Sequence, residues 1–290
     1  MIEDIRSEAI ALYDRFTHDS MDRRLFMRRM VVLAGSVAAA EALIGSISAS
    51  PASAALTNPA DTRLVIRKGA LGFGSPLSGY VAAPKGAKKI ATVMVIHENR
   101  GLNAHIEDVA RRVALAGYFA VAPDFLSPAG GTPSNEDAAR EAIGKLDLAA
   151  SVASAVQLGE GLKTRRHSNG KLGAVGFCWG GAFVNRLAVA AGDKLDAGVV
   201  YYGPAPAPSE AVKVNAPLMI QLAGLDERVA GTAWPWITAL RQAGKRVTYF
   251  DYEGVNHAFN NDTSAERYNK AAADLAWKRT LAFFAKYLRK

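Results

Sequence analysis

The chain has 290 residues, 50% hydrophobic and 21% charged, which is enough for one large α/β domain and lies outside the composition of disordered or fibrous chains. The net charge of +8 comes from basic residues spread through helical and turn patterns, with no basic run interleaved with aromatics; nucleic acid is therefore not an expected partner, and a modest preference for anionic small molecules is. A single cysteine, Cys178, excludes an internal disulfide and leaves its sulfur free for chemistry.

Residues 1–54 differ from the rest. Asp22-Arg-Arg-Leu-Phe-Met-Arg28 precedes an uncharged stretch from Met30 to Ala40, then Glu41, then an Ala/Ser/Gly run ending in Ala52-Ser-Ala54. Paired Arg23 and Arg24, Phe26, a mild apolar core and an A-x-A cleavage site resemble a bacterial twin-arginine export signal, which implies a periplasmic mature protein. The core is too short and too rich in small residues for a stable membrane span. Ahead of the arginines, Ile2, Ile5, Ala9, Leu12, Tyr13 and Phe16 repeat at helical spacing. Two other readings therefore stay open: Met21 is the true start, or the leader is a helix that remains on a cytoplasmic protein. The division is a leader over 1–54 and one domain over 55–290.

From residue 62 onward, apolar β-branched runs alternate with helical periods. Strands are expected at Arg63–Arg67, Leu77–Ala82, Ile90–His97, Tyr118–Ala122, Leu172–Phe177, Ala197–Tyr202, Leu218–Leu222 and Val247–Tyr252. Helices are expected near Ile106–Ala116, Asp137–Gly159, Gly180–Ala191, Ala233–Ala243 and Ala265–Leu288. Such alternation builds a mainly parallel sheet with helices on both faces. The Pro/Gly/Ser-rich stretch 127–134 reads as a long loop after a strand.

Cys178 sits at the centre of Gly176-Phe-Cys-Trp-Gly180, between a strand and a small-residue helical pattern. This is a nucleophile elbow with sulfur at its apex: the glycines admit a strained turn, and the apex side chain meets the N-terminus of the next helix, where a thiolate is stabilised. In an open parallel sheet the active groups collect at the carboxyl ends of strands. Asp226 follows the strand 218–222, His257 follows the strand 247–252, and His97-Glu98-Asn99-Arg100 ends the strand 90–97. The order nucleophile, acid, histidine is that of α/β-hydrolases. His257 is the expected proton carrier and Asp226 the group that orients it. His18, His105 and His167 read as surface residues, and no pair has metal-ligand spacing, so neither a metal nor a cofactor is expected.

The chain resembles the dienelactone hydrolase family, on an α/β-hydrolase fold, over about residues 62–288. The resemblance rests on His97-Glu-Asn-Arg-Gly-Leu-Asn103, Ala122-Pro-Asp124, the segment from Ser168 to Gly181, Tyr201-Tyr-Gly203, and the Asp226 and His257 loops. It implies opening of small esters or lactones by a Cys-His-Asp triad, with Glu98 helping to deprotonate the cysteine. Backbone N–H groups of Trp179 and Asn99 would form the oxyanion hole. Of the two arginines and the tyrosine with which family members bind dienelactone's carboxylate, Arg140 is kept, Gly144 stands in the tyrosine's place, and Asn261 stands in that of the second arginine. Arg100 is either a replacement positive charge or a solvated loop residue, and Trp234 and Trp236 either cap an apolar pocket or pack in the core. A general carboxylesterase or thioesterase needing no carboxylate on its substrate, and a non-catalytic binding or thiol-sensing protein, are the rival readings.

Overall fold

A computed structural model describes residues 2–18, 21–48 and 56–289. The expected cleavage motif Ala52-Ser-Ala54 lies outside these residues.

Eight strands form one sheet: β1 (Leu64–Ala70), β2 (Ser78–Pro84), β3 (Ile90–Ile96), β4 (Phe119–Asp124), β5 (Ser168–Phe177), β6 (Ala197–Tyr201), β7 (Leu218–Ala223) and β8 (Val247–Tyr252), in the order β1-β2-β4-β3-β5-β6-β7-β8. β1 and β2 run antiparallel to their neighbours, while β4, β3 and β5 to β8 are parallel. All eight expected strands are present, with ends shifted by a few residues. The central strands are buried on both sides and alternate strictly. In β3, Ala91, Val93 and Val95 enter one apolar cluster, while Met94 and Ile96 enter the other.

The helices that cover the sheet are α4 (Ala104–Leu115), α6 (Leu148–Thr164), α7 (Trp179–Ala191), α8 (Glu227–Gln242) and α9 (Lys270–Leu288), while α5 (Glu136–Gly144) lies between β4 and α6 in the chain. α4 and α9 pack on one face, and α6, α7 and α8 on the other. The single helix expected over 137–159 is two. The carboxylate of Asp147 accepts the N–H of Ala150 at 3.0 Å and starts α6 as an N-cap, so the first helix ends at Gly144.

The connection leaving β3 turns outward to β4, and the chain then returns across β3 to β5. The order reverses there, which opens a crevice at the carboxyl ends of β3 and β5. Ile96 pairs with Gly176, so Glu98 and Cys178 leave adjacent strands at the same level.

The leader is folded onto this crevice. Helices α1 (Ile2–His18), α2 (Arg23–Ala34) and α3 (Val37–Ile47) share an apolar cluster that includes Leu12, Tyr13, Phe16, Phe26, Met30 and Ile47. The rings of Phe16 and Phe26 stack at 4.1 Å. α2 ends at Gly35, in the left-handed conformation at φ 82°, and Ser36 caps α3, so the two axes meet at 105°. Among the described residues no single helix is long and apolar enough to cross a membrane. Arg23 pairs with Asp137 on the following domain. A buried attachment is Arg267, which is 7% exposed: it donates to Asp14 Oδ1 at 3.3 Å, to the Ile47 carbonyl at 3.2 Å and to Ser264 Oγ at 3.0 Å.

Breaking a buried ion pair from one side leaves the other charge uncompensated, at a cost of about 3 kcal/mol or more. Arg267→Ala in the full chain is therefore expected to lower the unfolding free energy in urea by about that amount. An unchanged midpoint and slope would mean that the leader is not attached through this pair.

Candidate active site

The turn that presents Cys178 is set by steric exclusion. Cys178 adopts φ 56° and ψ −114°, a region that L-residues rarely enter. It is held there because α7 approaches both β5 and the end of β3 without room for side chains. A Cβ on Gly176 would lie 2.0 Å from the Gly180 carbonyl oxygen, and one on Gly180 would lie 2.4 Å from that of Ile96. The Cys178 N–H donates to the Tyr201 carbonyl at 3.1 Å, and its carbonyl accepts the N–H of Ala182 at 3.0 Å. The sulfur thus stands at the first turn of α7. Trp179, the first residue of that helix, has an N–H that the helical ladder does not use. The Trp179 ring lies flat against His97 at 5.1 Å.

His257 and Asp226 arrive from the loops after β8 and β7. His257 Nδ1 and Asp226 Oδ2 are 2.5 Å apart, and the other carboxylate oxygen of Asp226 accepts the Val229 N–H at 3.1 Å, starting α8. A ring nitrogen of His257 lies within 4.8 Å of Cys178 Sγ, and Nε2 makes no hydrogen bond in this geometry. Burial opposes both charges of the Asp226–His257 pair. Even so, the positive imidazole holds Asp226 at about 2, and the carboxylate together with the Cys178 sulfur lifts His257 to about 10.

Glu98 is 7% exposed and shares a narrow space of about 10 Å³ with Cys178, His257 and Asn261. Its Oε2 accepts from Asn261 Nδ2 at 2.7 Å, and Oε1 has no partner. Asn261 is thus turned onto Glu98. Arg100 lines the same space and is paired with Glu136 and the Tyr13 hydroxyl, so it is not a free loop cation.

A larger cavity of about 310 Å³ reaches Cys178 from the other side, walled by Asn99, Arg140, Trp179, Phe183 and Arg186. Arg140 donates to the Phe16 carbonyl at 3.1 Å and lies over the Phe16 ring at 4.1 Å. A more voluminous groove of about 770 Å³ beside α6 and α7 shares Leu148 and Arg186 with this cavity but does not reach the sulfur. Trp234 is not at the site: it is 39% exposed and packs edge-on against Tyr249 at 5.2 Å. Trp236 is fully buried and donates to Asn185 at 3.1 Å. The two tryptophans lie on opposite sides of α8, and neither lines the spaces that reach Cys178.

Two histidines expected at the surface are not there. His105 is 4% exposed and bonded to Asp262 at 3.0 Å. His18, at the end of α1, places Nε2 3.0 Å from Cys178 Sγ, with its ring 4.6 Å from that of His257. His18, Cys178 and His257 bring their donor atoms within 4.8 Å of one another, a set able to accept a soft divalent ion such as zinc, although no pair of them is close in sequence. Sequence reasoning also missed Arg267, Arg186 and Arg228, which line the two spaces.

A nucleophile elbow at the switch point of an eight-stranded sheet, with a histidine–aspartate pair behind it, defines an α/β-hydrolase acting on ester or lactone bonds. The chain belongs to the dienelactone hydrolase family, whose profile matches residues 77–288. It is 30% identical over 228 residues to a protein named as a carboxymethylenebutenolidase from Methylorubrum extorquens, covering 73% of this chain and 77% of that one. It is 32% identical over 233 residues to Protein usf of Aquifex pyrophilus, covering 74% and 95% of the two chains. A dienelactone hydrolase structure from Klebsiella pneumoniae superposes with a TM-score of 0.70 at 27% identity, covering 77% of this chain and 99% of that one.

Asp226 ionises below its usual 3.8, so its share of stability is present above about pH 4 and is lost as pH falls toward 2. His257 is raised above its usual 6.5, so its share is full below that pH and is lost as pH rises through about 10. The pair therefore contributes most between about pH 4 and 6.5. Asp226→Asn should lower the melting temperature most in that window, with the deficit shrinking toward pH 10. A deficit that stays constant with pH would show that the pair does not carry these charges.

Proposed function

We propose that the protein cleaves small esters or lactones through a thioester acyl-enzyme formed on Cys178. The observation that carries this reading is the elbow: the chain's one sulfur is held in a strained conformation at a helix N-terminus, beside an imidazole already paired with a carboxylate. Sγ attacks the carbonyl carbon from the 310 Å³ cavity. The His257 imidazolium, oriented by Asp226, stabilises the thiolate and gives its proton to the departing oxygen, and it is recharged with the proton that Glu98 takes from the thiol. Backbone N–H groups of Trp179 and Asn99 receive the oxyanion, each such donor being worth about 3 kcal/mol of barrier. Glu98, with one oxygen free behind the sulfur, is placed to draw off the thiol proton when substrate disturbs its bond to Asn261.

Arg140, Arg186 and Arg228 on the cavity wall support an anionic substrate. A second reading, an esterase indifferent to substrate charge, is supported by Asn261, which serves Glu98, and by Arg140, which is already engaged by Phe16.

Cys178→Ala should abolish hydrolysis of activated aryl esters while leaving the far-ultraviolet spectrum and melting temperature near those of the parent. Undiminished turnover would discard the mechanism. Arg140→Ala should reduce kcat/KM for carboxylate-bearing esters by about 30-fold, the equivalent of about 2 kcal/mol for a charge-assisted bond, and leave neutral esters nearly untouched. Equal rates on both substrates, insensitive to the mutation, would establish the second reading.

A further inference from the structure

We propose that His18 is a catalytic residue of this enzyme, the general base that activates water to hydrolyse the acyl-enzyme, and that helix α1 is a working wall of the active site. This rests on the acyl-enzyme reading above.

The two imidazoles at the sulfur face different spaces. His257 borders the space of about 10 Å³ behind Cys178, which is at the limit for a single water molecule, and it is not among the residues that line the 310 Å³ cavity. His18 borders the 310 Å³ cavity as well, together with Cys178 and both residues of the oxyanion hole. Water that attacks a thioester on Sγ must come from that cavity, and among its described lining residues His18 carries the imidazole.

The tautomer of His18 is fixed by its surroundings. Nδ1 lies 2.8 Å from the Asp14 carbonyl oxygen, which only accepts, so Nδ1 carries the proton and Nε2 presents a lone pair to the sulfur and the cavity. A neutral imidazole within one water of the reacting carbon is what general-base catalysis requires.

α1 is also bonded to the rest of the site. The Thr17 carbonyl accepts from Asn99 Nδ2 at 3.1 Å, the Phe16 carbonyl accepts from Arg140, Tyr13 meets Arg100, and Asp14 meets Arg267. Four polar groups of the crevice thus find their partners on the last two turns of one helix.

In the step itself, one proton of a cavity water passes to His18 Nε2 as the water oxygen bonds to the thioester carbon, and the carbonyl electron pair moves onto its oxygen. On collapse the C–S bond breaks and its pair returns to Sγ. The proton on Nε2 then crosses to the sulfur, restoring the thiol and releasing the carboxylic acid. Cleavage after Ala54 would carry His18 away, so the working enzyme is the uncleaved chain.

Pre-steady-state hydrolysis of p-nitrophenyl acetate by the full chain, by His18→Ala and by His18→Gln tests the assignment. In both altered proteins a burst of about one p-nitrophenol per active site should persist, followed by turnover slowed about 100-fold, with acetylated protein visible in the intact mass. Added imidazole should restore the turnover of His18→Ala. Turnover equal to or above that of the parent would overturn the proposal and make α1 a dispensable or occluding cover. Loss of the burst along with turnover would also overturn it, because His18 would then serve only to shape the acylation site. Failure of the acyl-enzyme reading itself would be seen separately, as a parent enzyme that never acquires acetyl on Cys178.

Discussion

The close passage of β5 and the end of β3 against the first turn of α7 is the constraint from which the rest of the site follows. With carbonyl oxygens only 2.0 and 2.4 Å from where side chains at 176 and 180 would begin, that turn can be built only from residues without a Cβ. The strain is then displaced onto the residue between them. A non-glycine residue at positive φ costs about 1–3 kcal/mol and persists only where its surroundings over-determine it. Here the surroundings are the paired β3, β5 and β6 strands and the apolar layers on both faces of the sheet. Stability collected across the whole sheet is thereby concentrated on a single thiol, whose direction is fixed before any substrate arrives.

Around that thiol the chain gathers charges that would each be costly alone. Asp226 and His257 are both nearly fully buried, and each keeps its charge because the other is 2.5 Å away. Glu98 is held by an amide rather than by a cation, which leaves one oxygen free in the space behind the sulfur. Arg267 repeats the principle across a longer chain separation, since its anionic partner, Asp14, comes from the leader. The polarity of the crevice is therefore a set of paired commitments, and α1 is party to several of them.

What the sequence disclosed and what it concealed divide along the same line. The elbow, the Asp226 and His257 loops and all eight strands are written locally: glycines two residues on either side of Cys178, polar residues just past apolar runs, and period-2 alternation. Each can be read because one strand and its following loop decide where the residue goes. His18 could not be placed that way, because it and Cys178 stand 160 positions apart and meet only through the docking of a separate helical layer. Its neighbourhood signals, an amphipathic repeat and a polar end, show that a helix exists and not where it goes. Arg267 is hidden for the same reason. Trp234 failed differently: a helix after a catalytic loop has one face toward the crevice and others away from it, and the tryptophans occupy the latter. The expected long helix over 137–159 split because an N-cap at Asp147 outweighed an uninterrupted helical period.

The same reasoning bears on what residues 1–48 do. An export signal needs paired arginines, a mild apolar stretch and a cleavage motif, and nothing in that list requires Tyr13, Asp14, Thr17 or His18 to have chemistry complementary to a pocket more than 80 residues away in sequence. Yet the aromatic hydroxyl meets Arg100, the carboxylate meets Arg267, the carbonyl of Thr17 meets Asn99 and the imidazole meets the thiol. Meanwhile the apolar residues of the three helices are spent on one another, and the stretch that would serve as a signal's core is bent by 105° at Gly35 and Ser36. Three of these contacts are made by side chains and one, at Thr17, by the backbone, and all four fall within six residues of α1. Two functions laid over the same residues would pull against each other, since every contact that fastens α1 over the crevice is one that release of the leader must break.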